Sequence, residues 1–259
     1  MSNRTKISRH AIQVGQQTVY YQVAGKEDGE AVVLVHGLSA SSRWWVRNIP
    51  ALAEHYRVYL LDLPGFGSMR RFRRHFVLDE LSASITAWMD ALGINQAYLI
   101  GHSMGGYICL RIAARHPERI KRLVLVAPAG IPHIRSVWGY LLPLLVAIRY
   151  CKPAFLPILF SDALRAGPRT LLRATQDLLT KDIRDALHNI VTPTLLVWGE
   201  YDALVPAVFG DIWRQEIKGA RLLILKKAGH VVMFDQAEQF NEWVLRFLEG
   251  EMLERDSNL

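Results

Sequence analysis

The sequence contains only two cysteines, Cys109 and Cys151, and this scarcity excludes two kinds of structural support. The thiols are far apart, and neither belongs to a CxxC motif or to a cysteine and histidine spacing typical of zinc ligands. The sequence therefore indicates neither a disulfide framework nor a metal site. We expect both cysteines to be buried thiols.

The sequence also lacks an uninterrupted apolar run of membrane-spanning length. Its most apolar region, residues 137–160, is broken by Pro143, Arg149 and Lys152, among others, whereas a bilayer requires roughly 20 apolar residues. The first residues, MSNRTKISRHAIQ, include no apolar stretch of signal-peptide length. We therefore expect no transmembrane segment and a cytoplasmic location. An apolar helix that covers a pocket, or makes weak contact with a lipid surface, remains compatible with this pattern.

Acidic residues are fewer than basic ones, 24 against 31, which gives a formal net charge of +7. Part of the excess lies in a basic run that extends from Arg70 to His75. Such a run could bind anionic lipid or nucleic acid, but no nucleic-acid recognition motif accompanies it. We interpret it as a solvated loop and expect no nucleic-acid partner.

Length and composition suit one globular α/β domain with an insertion. Of the 259 residues, 51% are hydrophobic and 21% are charged. Continuous apolar runs such as AVVLVHG (residues 31–37) are typical of strands buried on both faces of a parallel sheet. Helical periodicity fills the gaps between such runs, and this alternation predicts a mostly parallel, doubly wound sheet. Strands are expected at residues 17–24 (after a turn at Gly15), 31–37, 57–63, 97–101, 122–127, 193–199 and 220–226. Helices are expected at residues 43–54, 79–92, 104–115 and 235–248.

Residues 130–190 lose the strand pattern and contain helical segments rich in Leu, Arg and Pro. We interpret them as a helical cap inserted into a core domain formed by residues 1–129 and 191–259. Ligands bind at the carboxyl ends of the strands in open α/β sheets, so a cap that follows a strand would lie over that crevice. It would therefore influence substrate choice.

Ser103 lies in the run GHSMGG, directly after a predicted strand and before a predicted helix. A sharp strand-to-helix turn strains the serine backbone and lifts the hydroxyl into the cleft, while Gly101 and Gly105 allow the strand and helix to approach closely. The alternative is a glycine-rich turn without chemistry. The strand-turn-helix context favours a nucleophile.

A serine nucleophile needs a base, and His230 is the candidate among nine histidines. It follows the last predicted strand, at the same sheet edge as Ser103. His102 adjoins the nucleophile but should point elsewhere, and His133, near the start of the cap, could reach a substrate pocket. The others are interpreted as surface or packing residues: His10, His36, His55, His75, His116 and His188.

Asp202 is the candidate carboxylate that would fix the histidine tautomer. It follows the preceding predicted strand in WGEYDALVP, and Glu200 is the alternative acid. The resulting chain order of Ser, Asp and His is the order stated for α/β hydrolases. After the strand AVVLV, the His36-Gly37 loop could turn the Leu38 amide into the cleft, where it would complete an oxyanion hole with the Met104 amide.

Five blocks of the sequence resemble the signature blocks of the α/β-hydrolase superfamily in the family's order: LVHGLSASSRWW, LDLPGFGSM, GHSMGG, WGEYDALVP and AGHVVMF. The resemblance implies an eight-stranded sheet, a Ser103-Asp202-His230 triad, an oxyanion hole from Leu38 and Met104, and no cofactor. Serine at position 103 argues against the haloalkane dehalogenase and soluble epoxide hydrolase branches, which the resemblance associates with an aspartate at this turn.

We therefore expect a serine hydrolase that cleaves a carboxylic ester of a small to medium apolar molecule. Trp44, Trp138, Tyr140 and His133 are candidate substrate-binding residues. A lactonase or a carbon–carbon bond hydrolase of the same fold is the alternative enzyme. A non-catalytic binding protein with this fold is the alternative from another class.

Overall fold

A single sheet runs through the part of the chain that the computed structural model describes, which is residues 5–70, 77–132, 134, 136–251 and 257–258. Its order is β1-β2-β4-β3-β5-β6-β7-β8-β9. The strands are β1 (Ile7–Val14), β2 (Gln17–Gly25), β3 (Ala31–Val35), β4 (Arg57–Leu61), β5 (Ala97–His102), β6 (Ile120–Val126), β7 (Thr194–Gly199), β8 (Arg221–Leu225) and β9 (Ser257–Asn258).

Most of the sheet is parallel. The hairpin of β1 and β2 and the pairing of β2 with β4 are antiparallel, and every later pairing is parallel. The predicted mostly parallel sheet of eight strands is thereby confirmed. A two-residue ninth strand, which the sequence did not indicate, pairs with β8 at the edge.

Helices cover both faces of the sheet. Along β3, Val33 and Val35 join one apolar cluster, and Val32 and Leu34 join the cluster on the opposite face. Alternating side chains are therefore buried on both sides, as a strand at the centre of a parallel sheet requires. The helices are α1 (Ile49–Ala53), α2 (Leu78–Ala91), α3 (Met104–Arg115), α4 (Leu141–Tyr150), α5 (Leu156–Ala166), α6 (Pro168–Leu179), α7 (Arg184–Leu187), α8 (Val208–Glu216), α9 (Val232–Asp235) and α10 (Ala237–Glu249).

One expected helix is interrupted, and another begins two residues late. Residues 43–54 form a 3₁₀ turn at Ser42–Trp45 and a separate α1, in which Pro50 lies in the first turn, where a missing N–H costs little. The helix expected at residues 235–248 is α10, which is separated from the short α9 at Gln236, whose backbone is not helical and whose amide group donates to the Lys226 carbonyl.

The segment between β6 and β7 contributes no strand in its described residues and contains α4, α5, α6 and α7. We call residues 130–190 the cap. Among the described residues, no single helix is both long and apolar enough to span a membrane. Residues 137–150 and 153–166 reach that length and composition only as a pair, bent by 114°.

Candidate active site

Ser103 occupies a strained turn between β5 and α3. Its φ of 52° and ψ of −116° lie in a region that residues other than glycine rarely adopt. A Cβ at Gly105 would lie 2.3 Å from the Val35 carbonyl oxygen, and one at Gly101 would lie 2.5 Å from the Gly105 carbonyl oxygen. Strand and helix therefore approach closely only because both positions are glycine.

His230 and Asp202 are hydrogen-bonded at the same edge of the sheet. The distance from His230 Nδ1 to Asp202 Oδ2 is 2.8 Å. The other carboxylate oxygen, Oδ1, accepts the backbone N–H groups of Leu204 and Val205, each at 2.9 Å. The carboxylate is thus held from both sides, and on the side of the ring its Oδ2 accepts a hydrogen bond from His230 Nδ1–H.

The His230 loop is tied to the residue beside Ser103. His102 Nε2 lies 3.0 Å from the His230 carbonyl oxygen, and the two rings have centroids 4.7 Å apart. Ser103, Asp202 and His230 are 7%, 6% and 8% exposed, so all three lie in a largely dry site. Within the described residues, Ser103 Oγ makes no hydrogen bond, either to His230 or to another residue. Its hydroxyl is not committed to a structural partner.

Glu200, the alternative acid, has a different contact. Its Oε2 accepts the backbone N–H of Lys227 at 3.1 Å. The carboxylate that contacts the His230 ring belongs to Asp202.

The loop after β3 lies against the turn that carries Ser103. A Cβ at Gly37 would lie 2.9 Å from His102 Nδ1 and 3.1 Å from Ser103 Cβ, so a side chain at this position would require its neighbours to shift. The N–H groups of Leu38 and Met104 donate to no other residue in the described part of the chain. Leu38 directly follows Gly37, and Met104 directly follows Ser103, so both amides belong to the two turns that meet at this contact.

The His36 side chain supports this loop through two hydrogen bonds. Its Nε2 accepts the Leu63 N–H at 2.9 Å, so Nδ1 carries the proton and donates to the Gly37 carbonyl at 2.8 Å. Complete burial lowers the pKa of His36, and the ring is neutral in this arrangement.

The four candidate substrate-binding residues are placed differently. Trp44 is buried, with its ring 5.7 Å from that of His102. Tyr140 is half-buried, and burial raises its pKa. Trp138 is 78% exposed on the surface of the cap. His133 lies outside the described residues, as do residues 71–75 of the basic run.

Sequence reasoning missed an aromatic contact between the cap and the segments that follow Leu38 and His230. Phe155 is completely buried, with its ring 4.8 Å from the rings of both Trp44 and Phe234. The sequence gave no signal for this contact, because an aromatic residue in an apolar segment is equally typical of ordinary packing.

Two buried carboxylates, also missed, tie the cap to the core. Asp162 accepts the Ser41 hydroxyl at 2.6 Å and pairs with Arg43 at 3.3 Å, on the loop that follows Leu38. Asp235 accepts the N–H groups of Lys152 at 3.1 Å and Gly229 at 3.0 Å. Burial raises the pKa of Asp235. The cap is therefore attached beside both the candidate oxyanion loop and His230.

His102 is a buried histidine whose proton position can be assigned. The His230 carbonyl can only accept, so His102 Nε2–H donates to it, and Nδ1 has no partner among the described residues. Burial, with the His230 ring as a smaller cause, holds the pKa of His102 well below its usual value. The ring therefore stays neutral in the folded protein when the pH falls below 6.5.

We expect the protein to lose stability on mild acidification partly through His102. The unfolded chain binds a proton near pH 6.5 that folded His102 does not, so the free energy of unfolding falls by up to roughly 1 kcal/mol per pH unit below that value. His102→Gln keeps a donor for the His230 carbonyl and removes the titration. Urea unfolding between pH 7.5 and 5.5 should give a shallower slope for this variant.

The control is Ser84→Ala, which changes an exposed side chain and removes no titratable group. Its slope should equal that of the unsubstituted protein. Equal slopes for His102→Gln and Ser84→Ala would contradict the assignment of a neutral, buried His102.

This combination of sheet, strained serine turn and histidine–carboxylate pair defines the α/β-hydrolase class. The alpha/beta hydrolase fold family matches residues 30–149, and a second family, described as TAP-like protein, matches residues 175–258. The chain belongs to the α/β-hydrolase superfamily.

Curated relatives are similar over most of the chain. A dihydrolipoyllysine-residue acetyltransferase component of the acetoin cleaving system from Pseudomonas putida is 35% identical, over 91% of this chain and 68% of the relative. A 2-hydroxy-6-oxo-6-phenylhexa-2,4-dienoate hydrolase from Comamonas testosteroni is 30% identical, over 89% and 91%. A pimeloyl-[acyl-carrier protein] methyl ester esterase from Aeromonas hydrophila is 30% identical, over 85% and 96%.

A solved structure of a bacterial membrane phospholipase A is also similar. It has a TM-score of 0.81 and 28% sequence identity, and the match covers 94% of this chain and 86% of that one. Hydrolases of several substrate classes are thus similar to this chain, at 28–30% sequence identity.

Proposed function

We propose that the protein is a serine hydrolase that cleaves a carboxylic ester of a small to medium apolar molecule. The observation that carries the proposal is the 2.8 Å hydrogen bond between His230 and Asp202 beside the strained turn of Ser103. The pair gives His230 a fixed tautomer, with the proton on Nδ1 and the lone pair of Nε2 free to accept the serine proton.

The proposed reaction has two steps. His230 Nε2 takes the proton of Ser103 as Oγ attacks the ester carbonyl carbon, and the oxyanion accepts the N–H groups of Leu38 and Met104. The C–O bond to the alcohol then breaks, and the leaving oxygen takes the proton from His230. Water, deprotonated by the same histidine, attacks the acyl-enzyme and releases the acid and Ser103.

The environment supports an apolar substrate. Trp44 lies beside His102, and the cap that is attached to both catalytic loops is rich in leucine and aromatic residues. Apolar walls with a few convergent polar groups are typical of small-molecule sites.

A carbon–carbon bond hydrolase is the second candidate function, and the similarity to the Comamonas testosteroni hydrolase over 91% of its length favours it. The same Ser103, His230 and oxyanion donors would serve a vinylogous diketone, because both reactions place negative charge on a carbonyl oxygen. Substrate preference therefore distinguishes the two candidates.

A substrate panel tests the proposal. We expect kcat/KM for nitrophenyl esters to exceed that for a 2-hydroxy-6-oxo-dienoate by at least about tenfold, a difference in transition-state binding of about 1.4 kcal/mol. Varying the acyl chain from two to ten carbons should give an optimum that reports pocket depth.

The opposite preference would favour the carbon–carbon hydrolase. Turnover of neither substrate class, in protein that is folded by circular dichroism, would favour the non-catalytic binding protein. Ser103→Ala provides the blank for nonspecific ester hydrolysis in every arm of the panel.

A further inference from the structure

The cap exposes an apolar face that its own fold leaves uncovered. On α4 and the turn before it, Trp138 is 78% exposed, Leu142 is 70% exposed and Leu145 is 65% exposed. Leu141, 54% exposed, lies on the same face, because residues spaced by three, four and seven positions share one side of a helix. Ala147, on another side, is buried.

The exposure is concentrated rather than scattered. Nine of the fifteen exposed large apolar side chains of the described residues lie between residues 138 and 172. On α5 they include Phe160 at 53% and Leu164 at 82%. Single exposed apolar side chains are normal in proteins, whereas a concentration of them marks a binding surface.

The charge of this segment has one sign. Between residues 136 and 176, the only acidic residue is Asp162, which is buried and bonded to Ser41. The basic residues of the same range are all exposed, and they are Arg149, Lys152, Arg165, Arg169 and Arg173. The segment therefore presents apolar side chains and cations and no exposed carboxylate of its own; Glu200, from the core, lies next to Tyr201, whose ring contacts Tyr150 at the end of α4.

This combination selects among possible occupants. A second copy of the chain, related by twofold symmetry, would bring the cations of this segment against one another, and the segment has no exposed acid of its own to pair with them. A bilayer surface with anionic headgroups accepts both features, because leucine and tryptophan enter the headgroup boundary and arginine stems extend their charges to the phosphates. Basic residues near such a surface are attracted to its negative potential.

We propose that the exposed face of α4 and α5 docks the protein onto the surface of an anionic phospholipid bilayer. The helices lie in the interface and do not cross the membrane. The docking does not use Ser103, Asp202 or His230, and it assigns Trp138, a candidate substrate-binding residue in the sequence, to the docking face instead.

Vesicle co-sedimentation of the full chain tests this proposal. We expect binding to vesicles of phosphatidylglycerol and phosphatidylcholine that exceeds binding to phosphatidylcholine alone and weakens as salt is raised. Leu142→Gln with Leu145→Gln should lower the partition coefficient at least about tenfold, because both side chains lose apolar contact. Ser103→Ala should bind like the unsubstituted protein.

The matched control is Val191→Gln with Val208→Gln, which removes two apolar side chains, 75% and 62% exposed, that lie outside the cap. It should change the partition coefficient by less than about twofold. Equal losses in the two double variants, or no preference for phosphatidylglycerol, would overturn the proposal. So would a dimer by light scattering that only the cap variant dissociates, with no vesicle binding.

A fluorescence measurement covers the case in which the leucine variant folds poorly. Vesicles with brominated acyl chains should quench part of the tryptophan emission of the unsubstituted protein. Trp138→Tyr, a change at a side chain that is 78% exposed, should abolish that part of the quenching. Unchanged quenching in Trp138→Tyr would contradict insertion of this face.

Discussion

Replacement of Ser103 by alanine is expected to reduce kcat for a nitrophenyl ester by at least about a thousandfold. The variant lacks the oxygen that forms the acyl-enzyme, and the Leu38 and Met104 amides alone supply only the residual rate. The fold should persist, because Ser103 Oγ makes no hydrogen bond within the described residues and alanine fits the same small space. Initial rates and a melting curve measure both effects.

The control for Ser103→Ala is Ser84→Ala, an exposed serine on α2 whose hydroxyl donates only to the Glu80 carbonyl within its own helix. Its kcat should be unchanged. A fluorophosphonate should add one adduct to the unsubstituted protein and to Ser84→Ala, and none to Ser103→Ala. Full activity in Ser103→Ala would remove the basis of the proposed mechanism.

The parts of the site that were predictable from sequence are local ones. The turn at Ser103 needs a strand before it, a helix after it and glycine at two fixed positions, and all of these lie within a few residues of one another. Asp202 and His230 follow consecutive strands, and parallel strands place their carboxyl ends at one edge. Local pattern and sheet direction together predicted that His230 and Asp202 meet.

The parts that were not predictable depend on contacts between distant segments. Asp162 meets Ser41 across 121 positions of the chain, and Lys152 meets Asp235 across 83. No periodicity in the sequence marks an aspartate as buried, since aspartate is normally exposed. Phe155 likewise contacts Trp44 only because the folded cap brings these two distant positions of the chain together.

These missed contacts alter the interpretation of the cap. Lys152 and Asp162 bracket a segment that is attached to the His230 loop at one end and to the loop after Leu38 at the other. The buried ring of Phe155 lies between these attachments. This part of the cap is packed like core, whereas α4 beside it exposes its leucines. One segment therefore holds the candidate site together and its neighbour faces outward.

Asp202→Asn is expected to reduce kcat by about 10³- to 10⁴-fold, with little change in KM. The Leu204 and Val205 N–H groups both donate to Oδ1, so the asparagine oxygen must remain there and its NH₂ must face His230. His230 Nδ1 then has to accept a hydrogen bond, which moves the ring proton to Nε2. That nitrogen can no longer take the proton of Ser103.

Glu200→Gln is the matched control for this variant, because Glu200 is the nearby acid that does not contact His230 and its amide oxygen can still accept the Lys227 N–H. We expect its kcat to stay within about twofold of the unsubstituted value. NMR of the imidazole nitrogens should show the proton on Nε2 in Asp202→Asn and on Nδ1 in Glu200→Gln. If Glu200→Gln were the slower enzyme, Glu200 rather than Asp202 would be the acid that orients the base.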